Sequence, residues 1–159
     1  MCCLNGGVKH WYLFLSLLGL GACAGPDSDL TVKQFYLRDQ VEDDLDEPMM
    51  RGEKSRLLHG AVSMAERRDR LGQYYTVLWS DAGTVGSGPV EVRFDYRQGA
   101  SGSLIKTRSE TFSADTSSGK AVFSVIGDDY FKRGKVISWK VTLLRDGRAL
   151  SSRQSYMWE

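Results

Sequence analysis

Cysteine is nearly missing from this chain. Its three cysteines, at positions 2, 3 and 23 of 159 residues, leave everything after Cys23 to fold without a disulfide, on a hydrophobic core alone. A cysteine zinc site is excluded in the same step. Histidine is as scarce, with only His10 and His59, which excludes a histidine-rich metal site. An excess of one charge is also lacking. The 21 basic side chains face 20 acidic ones, which speaks against nucleic acid, whose binders carry a basic surplus to meet phosphates. No hydrophobic run is long enough to span a membrane. The longest, Trp11 to Ala22, has twelve residues broken only by Ser16 and glycines; as a helix it reaches about 18 Å, short of the roughly 30 Å hydrocarbon core. What is present is core material. Hydrophobic residues make up 42%, with four tryptophans, seven tyrosines and six phenylalanines, enough to exclude a wholly disordered chain and to predict one domain.

The short apolar run, preceded by Lys9 and His10, reads as the h-region of a signal peptide. It closes on Leu20-Gly21-Ala22-Cys23 and is followed by a small, polar, turn-prone stretch, Ala24-Gly25-Pro26-Asp27-Ser28-Asp29. This segment resembles the lipobox of bacterial lipoprotein precursors. The resemblance implies cleavage after Ala22, acylation of Cys23 as the new N-terminus, and attachment to the lipid bilayer through that residue. In diderm bacteria a residue other than aspartate after the acylated cysteine directs the protein to the outer membrane, so Ala24 implies the outer membrane, facing the periplasm. Anchoring would be covalent, because acyl chains contribute about 0.8 kcal/mol per buried methylene without any basic patch. Loss of Lys9 leaves 20 basic against 20 acidic side chains in the exported chain.

The chain divides into a signal peptide (1–22), a lipidated tether (23–29), a segment holding a first strand, an acidic connector and a short helix (30–70), and a main β-domain (71–159). Leu30 to Leu37 is rich in strand formers. The connector holds six carboxylates between Asp39 and Glu47 and no cation. A turn of helix could begin at Asp43 or Glu47, before Pro48. Ser63-Met64-Ala65-Glu66 matches a capping box with Gly72 as a left-handed stop, predicting a surface helix over 64–71. From Gln73 the hydrophobic period becomes two. Val90, Val92, Phe94 and Tyr96 alternate with Glu91, Arg93, Asp95 and Arg97, and Ile137, Trp139, Val141 and Leu143 alternate with Ser138, Lys140 and Thr142, so each stretch has one face on a core and one in water. Tyr74 to Trp79 is apolar on both faces, predicting a central strand covered on its second side. Further strands are predicted over 105–112, 120–126 and 149–158, with a hairpin at Asp146-Gly147.

Seven strands at this spacing predict a mostly β protein, a single antiparallel sandwich. The pattern resembles immunoglobulin-like or fibronectin type III-like sandwiches, with Trp139 as a core plug, but without paired cysteines. An open sheet or a small closed barrel is the alternative. Architecture does not carry function; any chemistry must come from particular side chains. The acidic run lacks the spacing and central glycine of a calcium loop, and reads as a solvated connector. Asp128 and Asp129 read as a helix cap joining two strands, against a catalytic pair. No serine sits in G-x-S-x-G, and neither Gly86-Ser87-Gly88 nor Gly99-Ala100-Ser101-Gly102 is followed by a phosphate-loop lysine. A hydrolase would have to use His59. No catalytic, cofactor or metal site is therefore assigned. Tyr74, Tyr75, Trp79, Tyr96, Tyr156 and Trp158 could stack on sugar rings, but core packing accounts for most, leaving Tyr156 and Trp158 as the ligand-facing aromatics. The expectation is a non-enzymatic envelope lipoprotein, a protein-interaction or structural module with an envelope protein partner. The alternatives are a glycan-binding lipoprotein and a hydrolase.

Overall fold

A computed structural model of the chain describes residues 28–38, 47–81 and 88–158. The signal peptide, Cys23 and most of both the tether and the acidic connector lie outside these residues. The described chain runs β1 (Ser28–Leu37), α1 (Pro48–Leu58), α2 (Met64–Arg70), β2 (Gly72–Asp81), β3 (Val90–Gln98), a 3-10 turn (Gly99–Ser101), β4 (Lys106–Phe112), β5 (Ser118–Ile126), α3 (Gly127–Arg133), β6 (Val136–Arg145) and β7 (Arg148–Gln154). All strand pairs are antiparallel. They form one sheet ordered β1-β2-β5 and another ordered β4-β3-β6-β7, the immunoglobulin-like sandwich expected. In constant-type immunoglobulin domains the fourth strand joins the sheet of the first two; here β4 pairs with β3 instead.

Alternation makes the core. Tyr75, Val77 and Trp79 of β2, and Ala121, Phe123 and Val125 of β5, meet Val90, Val92, Phe94 and Tyr96 of β3 and Trp139, Val141 and Leu143 of β6. Phe94 is central: its ring stacks on Phe123 at 5.2 Å and Tyr96 at 5.1 Å, with Tyr75 at 4.7 Å. Trp139 is buried edge-on to Tyr75 at 6.0 Å. Burial pushes the Tyr75 phenol well above its ordinary pKa.

The structure corrects several local expectations. The connector contains an eleven-residue helix, α1, with Glu47 at its cap position and Pro48 as its first residue, longer than the single turn expected before Pro48; Asp43 lies outside the described residues. Proline fits a first helical position because its missing N–H would be unpaired there anyway. The capping box forms, with Glu66 N donating to Ser63 Oγ at 3.2 Å and Ser63 N to Glu66 Oε2 at 2.9 Å. Gly72, however, is no helix stop. Leu71 leaves α2 in extended conformation, and Gly72, at φ +143°, opens β2 where a Cβ would meet Val125 O at 2.3 Å. Asp128 and Asp129 do not cap α3: the cap position is Ile126, without a side-chain bond, and both aspartates lie in the first turn. β7 ends at Gln154, so Tyr156 and Trp158 sit in a turn beyond it. The outer face of β6 is not wet, since Ser138, Thr142 and Leu144 are buried and it is Ile137 that is exposed. Ser138 and Thr142 are short and stand opposite Arg97 and Arg93 of β3, whose long stems shade them. The second face of β2 is only partly covered, leaving Leu78 exposed. Asp146 and Gly147 both take positive φ, as a two-residue hairpin requires.

Candidate functional site

The sandwich has two unlike poles. β1 enters at Ser28, paired with Asp81, and ends at Leu37, paired with Gly72. At the entry pole Arg145 is buried and every guanidinium nitrogen is bonded: Nε to Asp81 Oδ2 at 2.7 Å, Nη1 to Gly88 O at 3.1 Å and Ala114 O at 3.0 Å, Nη2 to Thr116 O at 2.9 Å. One guanidinium thus ties β2, β6 and two connections together. Its partners are backbone carbonyls and one buried carboxylate, so this is a structural tie.

The far pole carries α2, α3, the 3-10 turn and the chain's last residues. Gln98, buried at the end of β3, donates from Nε2 to Asp129 O and Gly134 O, both at 3.0 Å. Lys106 Nζ reaches Gln98 Oε1 at 2.6 Å and Asp129 Oδ1 at 2.8 Å. Arg108 and Arg133 add ion pairs to Asp129 at 3.6 and 3.4 Å. Asp128 instead pairs with Lys132 at 2.8 Å on the surface, which holds its carboxyl below the usual carboxylate range. The adjacent aspartates therefore point to different partners and form no acid-base pair. Around this network the pole exposes Val62, Met64, Leu104, Ile105, Phe131, Ile137, Tyr156 and Met157.

The ligand-facing aromatics separate. Tyr156 is 100% exposed, whereas Trp158 is half-buried with the Arg97 guanidinium 4.9 Å from its ring centroid. Tyr75, Trp79 and Tyr96 are core residues, and Tyr74 directs its hydroxyl to Arg70 O at 2.6 Å. His59 is exposed. Its carbonyl accepts from Arg70 Nη1 at 2.5 Å, and among the described residues its imidazole has no hydroxyl or carboxylate partner, so no Ser-His-Asp arrangement is assembled there. Among the same residues, no group of three or more His, Cys, Asp or Glu could hold a metal ion, and no helix is long and apolar enough to cross a membrane.

A feature that sequence reasoning missed lies at the free edge of β1. A cleft of about 260 Å3 is lined by Gln34, Phe35, Tyr36, Leu37 and Arg38 on one side and by Met50 and Lys54 of α1 on the other. The Arg38 guanidinium stacks 4.3 Å from the Tyr36 ring centroid, and the Tyr36 hydroxyl bonds that of Tyr130 in α3. Among the described residues no acidic side chain lines the cleft. Its signal in the sequence was too faint to read, because it depends on which edge of β1 stays unpaired. The chain matches no protein-family model, no curated protein and no solved structure.

Proposed function

We propose that the chain is a bacterial envelope lipoprotein: cleaved after Ala22, acylated on Cys23, held to the outer membrane facing the periplasm, and acting there as a non-enzymatic protein-interaction module. The lipobox-like Leu20-Gly21-Ala22-Cys23 carries the anchoring part of this reading. The polarity of the sandwich carries the rest. A tether from Cys23 to Ser28 spans at most roughly 20 Å, which keeps the entry pole close to the bilayer. Eight of the twelve large exposed hydrophobic side chains among the described residues, Phe131 and Tyr156 among them, belong to the opposite pole, a grouping of the kind found at interaction surfaces. Labelled palmitate is expected to enter the wild-type chain and to be absent from Cys23→Ala; equal labelling of both overturns the anchor. Photo-crosslinkers placed at Phe131 and at Tyr156 in intact cells are expected to capture a protein partner, and capture of none overturns the interaction reading.

The fully exposed ring of Tyr156 supports a second reading, glycan binding. On that reading Tyr156→Ala abolishes retention on peptidoglycan or on a saccharide array, while retention unaffected by the substitution rejects it.

A further inference from the structure

The geometry points to Tyr36 and Tyr130 as a site of oxidative modification, at which a one-electron oxidant of the haem-peroxidase class, supplied with hydrogen peroxide, joins the two rings through a carbon–carbon bond and staples β1 to α3. Such a bond goes beyond the interaction reading above and does not depend on acylation of Cys23.

After Cys23 the chain holds no cysteine, so no disulfide can tie β1 to the rest of the domain. Tyrosine is another side chain that oxidation can couple to its own kind, because a phenoxyl radical carries spin on the carbons ortho to its oxygen. Tyr36 lies at the end of β1 and Tyr130 within α3, 94 positions apart in the chain. The fold brings them together at the far pole. Their hydroxyls are hydrogen-bonded to each other, and their ring centroids are 5.8 Å apart with the planes tilted by 60°. The ortho carbons flank each hydroxyl, so contact between the hydroxyls sets those carbons at the meeting edges of the rings. Packing limits both rings: the Arg38 guanidinium lies 4.3 Å from the Tyr36 centroid, and Phe131 stands edge-on to Tyr130 at 5.4 Å.

The other tyrosines offer no such pair. Among the described residues no other two tyrosine rings are in contact. Tyr75 and Tyr96 are sealed in the core, Tyr74 donates its hydroxyl to Arg70 O at 2.6 Å, and Tyr156 is wholly exposed. Tyr36 and Tyr130 are each half-buried, and Tyr36 lines the cleft beside β1. The pair therefore has the route to solvent that the core phenols lack.

In the reaction each phenol gives up one electron and its hydroxyl proton. The two radicals couple between ortho carbons, each of those carbons then loses its hydrogen as a proton, and each oxygen takes one back, restoring both phenols. The pair loses two electrons and two protons in all, which reduce one hydrogen peroxide to two waters. Holding the partners in contact converts a bimolecular coupling into a unimolecular one, so the neighbouring ring outruns a second chain. The bond formed constrains the unfolded chain as a disulfide does.

The test treats the purified full-length chain with a haem peroxidase and hydrogen peroxide. Trypsin then releases residues 34–38 and 121–132, and mass spectrometry is expected to find these two peptides joined, two hydrogens lighter than their sum. Their yield should not change with chain concentration, whereas links between chains through Tyr156 should rise with it. Tyr36→Phe and Tyr130→Phe keep the ring and remove the oxidisable hydroxyl; each should abolish the joined peptides, and Tyr156→Phe should leave them. The oxidised wild type should unfold at higher urea than the untreated chain, a rise absent from Tyr36→Phe. Absence of the joined peptides, their persistence in Tyr36→Phe or Tyr130→Phe, their loss in Tyr156→Phe, a yield that rises with concentration, or an unchanged urea midpoint overturns the proposal. Chain recovered from peroxide-treated cells should carry the same joined peptides, and their absence there overturns it as well.

Discussion

Arg145 and Asp81 show how much one buried pair can organise when each guanidinium nitrogen has a partner. Both side chains are 2% exposed, and the guanidinium also meets the carbonyls of Gly88, Ala114 and Thr116. Removing one partner strands a charge in a low-dielectric site, which costs about 3–5 kcal/mol, whereas replacing both by apolar groups costs far less. Asp81→Leu should therefore lower stability by that amount in thermal or urea unfolding, and Asp81→Leu with Arg145→Met should recover part of the loss. A double variant no more stable than the single one would contradict this account. Gly72 makes a second residue-level case. Alanine there places a Cβ 2.3 Å from Val125 O at φ +143°, and such strain is worth about 1–3 kcal/mol. Gly72→Ala should lower the unfolding midpoint, while Gly52→Ala, with open space around it, should not. The ion pair was invisible in the sequence because its members are far apart and meet only after both sheets form. Arg145 reads there as one more polar end of a strand.

At the scale of elements, the two connector helices differ in what the chain says about them. α2 was legible because Ser63 and Glu66 make a reciprocal local bond pattern, and that pattern needs nothing beyond its own residues. α1 was not: it buries no residue, so no apolar stripe marks it, and Gly52 lowers its helix propensity. It is held instead by Arg70, which donates Nη1 to Leu57 O at 3.1 Å and His59 O at 2.5 Å, satisfying carbonyls at the helix end. A helix of eleven residues is marginal without such support. Arg70→Ala should speed hydrogen exchange across α1 while amides of β2 and β3 keep their protection; unchanged exchange in α1 would place its support elsewhere. α2 should respond to acid. The amides of Ser63 and Val62 donate to the Glu66 carboxylate and hold it below its ordinary value of 4.5. The folded pKa is depressed, so the contribution is present above the ordinary value and is lost as pH falls through the folded one. NMR of the α2 amides should show fraying below about pH 4.5 in the wild type, and Glu66→Gln should remove that pH dependence.

For the whole molecule, the sandwich was legible and its open edge was not, for one physical reason. Period-two alternation along Val90–Gln98 states which face of a strand is buried, a property each strand carries alone. Which strand lies beside which depends on the assembled sheets, so the cleft beside Gln34 had no local signature. The same logic governs the two seams where the sheets meet edge to edge. On one side Arg108 Nη1 donates to Ser124 O at 2.5 Å and Glu110 Oε2 accepts from Val122 N at 3.3 Å, so β4 side chains occupy backbone groups of β5 that would otherwise recruit another strand. On the other, Arg153 closes only the start of β1. Opening the closed seam should therefore convert a self-contained sandwich into one that self-associates. Arg108→Met with Glu110→Ala keeps much of the packing but frees Ser124 O and Val122 N. It should retain cooperative unfolding yet sediment with a concentration-dependent increase in mass, which strand-blocking Val122→Pro should reverse. Sedimentation identical to wild type at all concentrations would mean that these side-chain bonds do not guard the β5 edge.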